Sequence, residues 1–376
     1  MVTAALRLFA LLLALHASFD ARGAEPAARV NPSRPGSVSA PAATGASPSG
    51  AIPTTKIGGV EYVSVADVAT RLSLRLATFE RGRRVTLTGP SGRAELENDS
   101  RDITVNGLRV FLGDPVLDAG RQLYVSRIDF ERCLTPMLRP GFGVPQRREL
   151  KTVVLDPGHG GRDNGTSVNE KTYALDVARR ARRLLEASGY RVILTRDSDV
   201  FLELGQRAEI ANTNRADLFV SIHFNAVPND SRTSGVEVFT FAPRAQHSAE
   251  WWSLKRKDDP HLELTEMPVN RFDHWSVILA HTIHRRFVTD LKAYDRGKKI
   301  AHWGVLRSLE CPGVLIECGF LTSSAEAKKI ATSDYRQKLA VAVANGIRDY
   351  ATLVDPPRGK SAASSARGPR PVKAAN

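Results

Sequence analysis

The stretch VVLDPGHGGRDNG, residues 153–165, leads from an apolar run into a glycine-rich turn that contains one histidine. The apolar run is typical of a strand that is buried on both faces of a sheet. Glycine-rich turns after such strands often bind phosphate, whereas a histidine in the turn can bind a metal ion. The two interpretations predict different proteins, and the rest of the chain has to decide between them.

The turn matches neither of the common phosphate-binding motifs. Asp163 occupies the place of the third glycine in the dinucleotide fingerprint, and Thr166 occupies the place of the P-loop lysine. The sequence therefore favours the metal interpretation.

From residue 150 onward, apolar strands alternate with helices of ten or more residues. This alternation predicts an α/β domain over residues 150–354, with a mostly parallel or mixed sheet and helices on both faces. The predicted strands are residues 152–155, 191–195, 217–222, 236–241 and 314–317, and the predicted helices are about 170–187, 203–212, 277–291 and 335–350.

A smaller unit is predicted over residues 57–138, where short β-type runs are separated by turn dipeptides such as Asn106-Gly107. One amphipathic helix is expected near Val65–Leu74, which makes this a small β-rich α+β domain. It contains no cluster of residues suited to chemistry, so we expect a structural or binding role that catalysis can dispense with. Residues 25–56 are rich in Pro, Ala and Ser and are predicted to form a linker.

The N-terminus predicts export. Arg7 precedes the apolar run Leu8–Leu15, which is too short to span a bilayer but has the length of a signal-peptide core, so residues 1–24 are predicted to be a signal peptide. No later stretch is predicted to be a transmembrane anchor. We expect a periplasmic or cell-wall-associated protein. Its three cysteines match no zinc-finger or redox spacing.

Most of the positive charge lies at the two ends of the chain. Residues 1–58 carry a net charge of +3 and residues 356–376 carry +5, so the ends supply 8 of the 13 net charges. The composition of residues 355–376 predicts a basic disordered tail, either simply solvated or weakly attracted to an anionic surface outside the cytoplasm. Nucleic acid is not expected as a partner, because the chain is predicted to be exported and has no aromatic and basic stacking surface.

Three residues are candidates for metal ligands. His159 and His223 each lie at the end of a predicted strand, where α/β sheets place their sites, and Glu170 begins a predicted helix. Each alone has an ordinary structural explanation, such as a glutamate that favours the helix dipole. Two histidines and a carboxylate together match the three protein ligands of a catalytic zinc site. Asn225 lies just beyond and is expected to orient a ligand, contact substrate or pack at the strand end.

Glu317 is the candidate for a catalytic carboxylate. It ends the apolar run of PGVLIECGF, where burial should raise its pKa and suit it to act as a general base. The alternative is a glutamate paired with an arginine at the strand end.

The candidate residues lie within motifs that resemble those of a known family. Residues 151–350 resemble the zinc-dependent N-acetylmuramoyl-L-alanine amidases of the amidase-3 type, which are cell-wall hydrolases. Five blocks in the family's order support the resemblance: VVLDPGHGGRDNG, NEKTYALDVARRARRLLEASGYRVILTRDSD, RAEIANTNRADLFVSIHFNA, SGVEVFTF and DRGKKIAHWGVLRSLECPGVLIECGFLTS.

The resemblance implies a reaction and a role for each candidate. His159, Glu170 and His223 match the family's ligands for one zinc ion, and Glu317 matches its catalytic glutamate. The implied substrate is peptidoglycan, cleaved at the amide between N-acetylmuramic acid and L-alanine. The unit over residues 57–138 is similar, more weakly, to the domain named after the N-terminus of copper amine oxidases, and this implies no copper site.

Residues 242–273 are an insertion relative to the family. They include Trp251, Trp252 and acidic residues such as Glu263 and Glu266. Some related amidases carry at this point a regulatory helix that an activator protein displaces, so self-inhibition is one expectation and a plain surface loop is the other. Beyond the insertion, His281 and His284 are spaced like helical ligands, but the neighbouring arginines predict an outward or groove-edge face.

Two alternative functions remain open at this point. A zinc peptidase could cut within the stem peptide, and an inactive relative could bind the wall without cleaving it. The intact set of four candidate residues favours an active enzyme.

Overall fold

The computed structural model describes residues 52–120, 122–145, 147, 149–166, 169–242, 246–249 and 272–355. The predicted signal peptide, almost all of the predicted linker and all of the predicted tail except Asp355 lie outside these residues. Within them no helix is both long enough and apolar enough to cross a bilayer.

The first unit is β-rich, as predicted. Its first strand begins at Thr55, inside the predicted linker, because Thr55 pairs with Tyr62 of the next strand. Its described strands are β1 Thr55–Ile57, β2 Val60–Ser64, β3 Arg75–Phe79, β4 Arg84–Gly89, β5 Gly92–Glu97, β6 Asp102–Val105, β7 Leu108–Phe111, β8 Leu117–Asp118 and β9 Leu123–Ser126. Its helices are α1 Val65–Arg71, α2 Arg127–Asp129 and α3 Thr135–Leu138, with a π-helical turn over Phe130–Leu134 and a 3-10 turn over Glu80–Gly82.

The second unit has the predicted alternation of strands and helices. Its described strands are β10 Thr152–Pro157, β11 Arg191–Leu194, β12 Leu218–Asn225, β13 Val236–Phe241, β14 Asp295–Ala301 and β15 Gly313–Phe320. Its described helices are α4 Glu170–Glu186, α5 Leu204–Thr213, α6 Asp273–Leu291, α7 Gly304–Arg307, α8 Ser324–Ile330 and α9 Ser333–Val354. Strand β14 and helices α7 and α8 were not predicted.

The sheet of the second unit is covered on both faces, which confirms the predicted α/β class. Strands β11, β10, β12 and β15 are parallel, β13 is antiparallel to β15, and β14 is parallel to β13. Alternate residues of each strand pack into two different hydrophobic cores, because successive side chains point to opposite faces of the sheet. Val153 and Leu155 of β10 pack with helices α4, α6 and α9, whereas Val154 packs on the side of α5 and α7.

The two units share one sheet. Strand β14 pairs in parallel with β7 through Lys298 and Val110, so the sheet continues into β7, β6, β5, β4 and β3 and has eleven strands. The backbone N–H of Arg109 donates to Asp295 Oδ2 at 2.9 Å. Gly297 has a φ of +92°, and a Cβ there would lie 2.7 Å from the ring of Phe111. The junction between the units is therefore closely packed.

Helix α6 strengthens the same junction. Val277 belongs to the hydrophobic core of the first unit, although it lies on a helix of the second. The predicted outward face for His284 is wrong: His284 is 1% exposed, and its Nε2 lies 2.6 Å from Asp295 Oδ1. The prediction assumed that the neighbouring arginines keep this face of the helix in solvent. Contact with the carboxylate of Asp295 instead accounts for the burial of His284. His281 is half-buried on the same helix.

This shared core generates a prediction about stability. Val277→Asp should destabilise the protein by roughly 3–5 kcal/mol, because it places an unpaired carboxylate inside an apolar core. Thr289→Asp, on the exposed part of the same helix, should change stability by less than about 1 kcal/mol. Calorimetry should show a single unfolding transition that V277D lowers. Two well-separated transitions, or no effect of V277D, would contradict a shared core.

Candidate metal centre

Three predicted ligands meet at one end of the parallel strands. His159 follows β10, Glu170 is the first residue of α4, and His223 lies near the end of β12. Because β10 and β12 are parallel and in register from Val153 and Leu218 onward, their ends meet at the same sheet edge. Among the described residues this is the one group of histidines and acids whose ligand atoms converge as a metal site requires.

The candidate ligand atoms of the three side chains lie within hydrogen-bond distance of one another. His159 Nε2 is 3.0 Å from Glu170 Oε1, and His223 Nδ1 is 3.1 Å from His159 Nε2 and 3.2 Å from Glu170 Oε1. Tetrahedral ligands at about 2.0–2.2 Å from a metal ion lie about 3.3–3.5 Å from one another. The three atoms are therefore arranged as a tripod for one metal ion.

The glycines of the turn permit this approach. A Cβ at Gly158 would lie 2.3 Å from Cε1 of His223, and a Cβ at Gly165 would lie 2.2 Å from Glu170 Oε2. His159 itself has a φ of +59°, which is uncommon for a residue other than glycine. The glycine-rich turn thus makes room for metal ligands rather than for a phosphate.

Hydrogen bonds orient two of the ligands. His159 Nδ1 lies 2.8 Å from Asp163 Oδ2, the histidine–carboxylate pairing that commonly supports a metal-bound imidazole. Glu170 Oε2 accepts from the backbone N–H of Thr166 at 2.6 Å and from its hydroxyl at 2.8 Å. Glu170 Oε1 also accepts from the backbone N–H of Phe224 at 3.2 Å. Asp163 and Thr166 were not predicted to support the site.

The charges of the three candidate ligands are coupled to one another. Burial opposes ionisation of Glu170, but His159 and His223 outweigh it and lower the pKa of its carboxyl. Burial lowers the pKa of His159, but Glu170 and Asp163 outweigh it and raise that pKa to about 10. Burial lowers the pKa of His223. A buried carboxylate therefore faces two imidazoles, and a divalent cation would satisfy all three groups.

Glu317 lies beside the ligands on the adjacent strand. It pairs with His223 across β12 and β15, and residues paired in this way point to the same face of the sheet. Its side chain is 2% exposed, and its Oε2 makes no hydrogen bond within the described residues. Burial, with the charges of Glu170 and Glu237, raises the pKa of Glu317 well above its usual range. The predicted alternative, a glutamate paired with an arginine, does not describe it.

Glu237 is a second buried carboxylate that the sequence did not reveal. It lies opposite Glu317 across β13 and β15. Unlike Glu317 it is paired: Arg296 Nε lies 2.7 Å and Lys299 Nζ 2.9 Å from its Oε1. The signal was present in the acidic residue inside VEVFTF and the basic residues of DRGKKIA, but these patterns do not say that the two runs form adjacent strands.

Within the described residues the side-chain hydrogen bonds of Asn225 go to residues other than the candidate ligands, and contact with substrate stays a prediction. Its Nδ2 lies 3.5 Å from Glu237 Oε2, and its Oδ1 accepts from the backbone N–H of Ala226 at 2.7 Å. The side chain is buried and packs at the strand end, one of the roles expected for it. Four residues of the predicted insertion lie outside the described residues: Trp251, Trp252, Glu263 and Glu266.

Comparison with known proteins gives the site its context. The model of the family Amidase_3, described as N-acetylmuramoyl-L-alanine amidase, matches residues 153–349. An uncharacterized cell wall amidase of Bacillus anthracis is 34% identical over 212 residues, which cover 54% of this chain and 36% of that protein. The N-acetylmuramoyl-L-alanine amidase AmiA of Escherichia coli is 32% identical over 220 residues, which cover 53% of this chain and 76% of AmiA.

The solved structures include similar proteins. The CwlD amidase of Clostridioides difficile, solved in complex with the GerS lipoprotein, is 31% identical to this chain. The match has a TM-score of 0.43 and covers 54% of this chain and 99% of that one.

The close approach of Gly158 to the ring of His223 yields a prediction. Gly158→Ala should weaken the binding of divalent metal ions, because the added Cβ displaces the ring of His223. Gly205→Ala is a matched control, since a Cβ at Gly205 meets no atom within 4 Å. Metal content per chain, measured by elemental analysis on folded protein, should fall only in G158A. Equal metal content in both variants would contradict the tight packing of His223 on the turn.

Proposed function

Because the chain belongs to the N-acetylmuramoyl-L-alanine amidase family, we propose that it uses one zinc ion to hydrolyse peptidoglycan. The bond cleaved is the amide between N-acetylmuramic acid and L-alanine of the stem peptide. The observation that supports this most directly is the convergence of His159, Glu170 and His223 beside Glu317, whose Oε2 makes no hydrogen bond within the described residues. All four lie within the residues that match the family.

The donor set fits zinc. Two imidazole nitrogens and one carboxylate oxygen are a common ligand set of catalytic zinc, and they leave a fourth position for water or substrate. When bound, zinc supplies a Lewis acid for the scissile carbonyl and lowers the pKa of its water to about 7.

The chain's own residues supply the proton transfers and the orientation. Glu317 takes the proton of the attacking water, since it lies beside His223 and its Oε2 makes no hydrogen bond within the described residues. It then delivers that proton to the amine of L-alanine as the amide breaks. Asp163 keeps the ring of His159 in the orientation that presents Nε2.

The proposed substrate requires the protein to act outside the cytoplasm. The predicted signal peptide supports export, and the basic composition of the predicted tail is compatible with weak attraction to an anionic surface there. Regulation through residues 242–273, by self-inhibition or an activator, stays a prediction, because most of that segment lies outside the described residues.

Two alternatives are separable by their products. A peptidase would release shorter peptides while leaving L-alanine on the sugar, and an inactive wall-binding protein would release nothing. Mass spectrometry of purified peptidoglycan after digestion should instead show intact stem peptides with a free L-alanine amine. Products of any other cleavage would overturn the proposed function.

Zinc dependence is the first prediction from this proposal. His159→Ala should lose the bound zinc and reduce hydrolysis to background, because two ligands cannot hold the ion. His284→Asn removes a buried histidine that contacts Asp295 instead, and it should retain one zinc per chain. Zinc content and release of stem peptides would be measured together, with and without a chelator. Full activity of metal-free protein would rule out the zinc mechanism.

The role of Glu317 gives the second prediction. Glu317→Gln should keep the zinc and the fold but lower kcat by roughly 10²–10⁴-fold, the usual contribution of general acid–base catalysis. Glu186→Gln, at an exposed position near the end of α4, serves as the control and should match the parent. Steady-state hydrolysis of soluble muropeptides would be compared at equal zinc content. A parent-like kcat in E317Q would refute the assignment.

A further inference from the structure

Two buried arginines lie beneath the glycine turn. Arg196 follows β11 and Arg207 lies on α5, and each is 3% exposed. Their guanidinium groups make most of their hydrogen bonds to backbone carbonyls near the metal ligands. Burying a guanidinium group costs free energy unless its N–H donors are hydrogen-bonded. A buried arginine is therefore expected to have a structural or functional role.

Arg196 joins the elements that bear His159 and Glu170. Its Nη2 donates to Gly158 O at 2.7 Å and to Lys171 O at 2.8 Å. Gly158 directly precedes His159, and Lys171 directly follows Glu170. Its Nε donates to Pro157 O at 3.0 Å, and its Nη1 donates to Ser198 O at 3.1 Å. One planar group thus fixes the separation between two ligand-bearing segments.

Arg207 joins the same turn to the strand that bears His223. Its Nη2 donates to His159 O at 2.8 Å, and its Nη1 lies 2.8 Å from Asp156 Oδ1. Asp156 Oδ2 in turn accepts from the hydroxyl of Ser221 at 2.7 Å. Ser221 lies two residues before His223 on β12, so both side chains point to the same face.

The backbone of the turn needs this support. His159 has a left-handed φ of +59°, a conformation that is unfavourable for a residue with a Cβ and persists only where its surroundings impose it. The carbonyls of Pro157, Gly158 and His159 all accept from the two guanidinium groups. These bonds hold the conformation in which Nε2 of His159 faces Glu170.

We infer that Arg196 and Arg207 are positioning residues that hold the three metal ligands in their bound arrangement before the ion arrives. The inference rests on the metal site of the proposed function. It assigns to two arginines a role in metal affinity, which depends on how much of the ligand geometry exists before binding. Lysine keeps the positive charge but cannot span two or more carbonyls with a planar fork.

The test compares Arg196→Lys and Arg207→Lys with a matched control. Arg336 is also a largely buried arginine: its Nε lies 2.5 Å from Asp176 Oδ2, and its Nη1 donates to Ile330 O and Ala331 O at 2.8 Å. It anchors α4 to the segment before α9 without contacting the turn or a ligand. Arg336→Lys therefore reports on the general cost of replacing a buried arginine.

Zinc affinity of the metal-free proteins is the deciding measurement. Titration against a chromogenic chelator, at a temperature where circular dichroism shows folded protein, should give a zinc Kd raised about 10–100-fold in R196K and R207K. The control R336K should stay within twofold of the parent. Hydrolysis by R196K and R207K should recover as zinc is raised toward saturation. A purely structural role would lower Tm and leave the zinc Kd unchanged.

The outcomes separate the inference from the function on which it rests. If R207K does not fold, Ser221→Ala removes only the link between Asp156 and β12 and should also weaken zinc binding. A zinc Kd within twofold of the parent in folded R196K and in S221A would overturn the inference alone. A parent protein that binds no zinc would overturn the proposed function and the inference with it.

Discussion

The burial of one carboxylate, Glu170, is the constraint on which the rest of the site depends. Its side chain is 1% exposed, so its charge must be balanced by donors within the protein or by a cation. Its position at the start of α4 supplies the favourable end of the helix dipole, and Thr166 and Phe224 supply backbone donors. Two histidines approach its Oε1, which also accepts from Phe224, and a Cβ at Gly158 or Gly165 would clash with this arrangement.

Two glutamates on neighbouring strands, Glu237 and Glu317, have different surroundings. Glu237 and Glu317 lie opposite each other, yet only Glu237 faces Arg296 and Lys299. Burial raises the pKa of Glu317 most, and the charges of Glu170 and Glu237 raise it further. Two adjacent glutamates thus differ in their partners, and only Glu317 has the surroundings expected of the proposed general acid–base group. Lys299 also lies 5.4 Å from the ring of Phe111, so the first unit contacts this cluster.

The sequence predicted the parts of the fold that depend on local patterns. Apolar strands with helices between them gave the α/β class, and residues 236–241 were predicted with their observed bounds. Strand β14 was missed because its sequence, DRGKKIA, is mostly polar. Its Arg296 and Lys299 are buried beside Glu237, whose carboxylate pairs with both. The sequence predicted the three candidate ligands from their places at two strand ends and one helix start, and the structure brings them together. Arg196 and Arg207 were not predicted, since most of their partners are backbone carbonyls, which leave no trace in a sequence.

The shared sheet changes what removal of the first unit would mean. The sequence predicted that this unit is dispensable for chemistry, because His159, Glu170, His223 and Glu317 all lie beyond it. None of its described residues lies among the candidate ligands, but β14 pairs with β7 and Val277 packs into its core. A chain beginning near Arg148 would expose the unpaired edge of β14 and an apolar face of α6, both of which favour aggregation. Lost turnover in such a chain would therefore not show that the site spans both units. Only the kinetics and zinc content of the fraction that remains folded can separate a chemical role of the first unit from its contribution to stability.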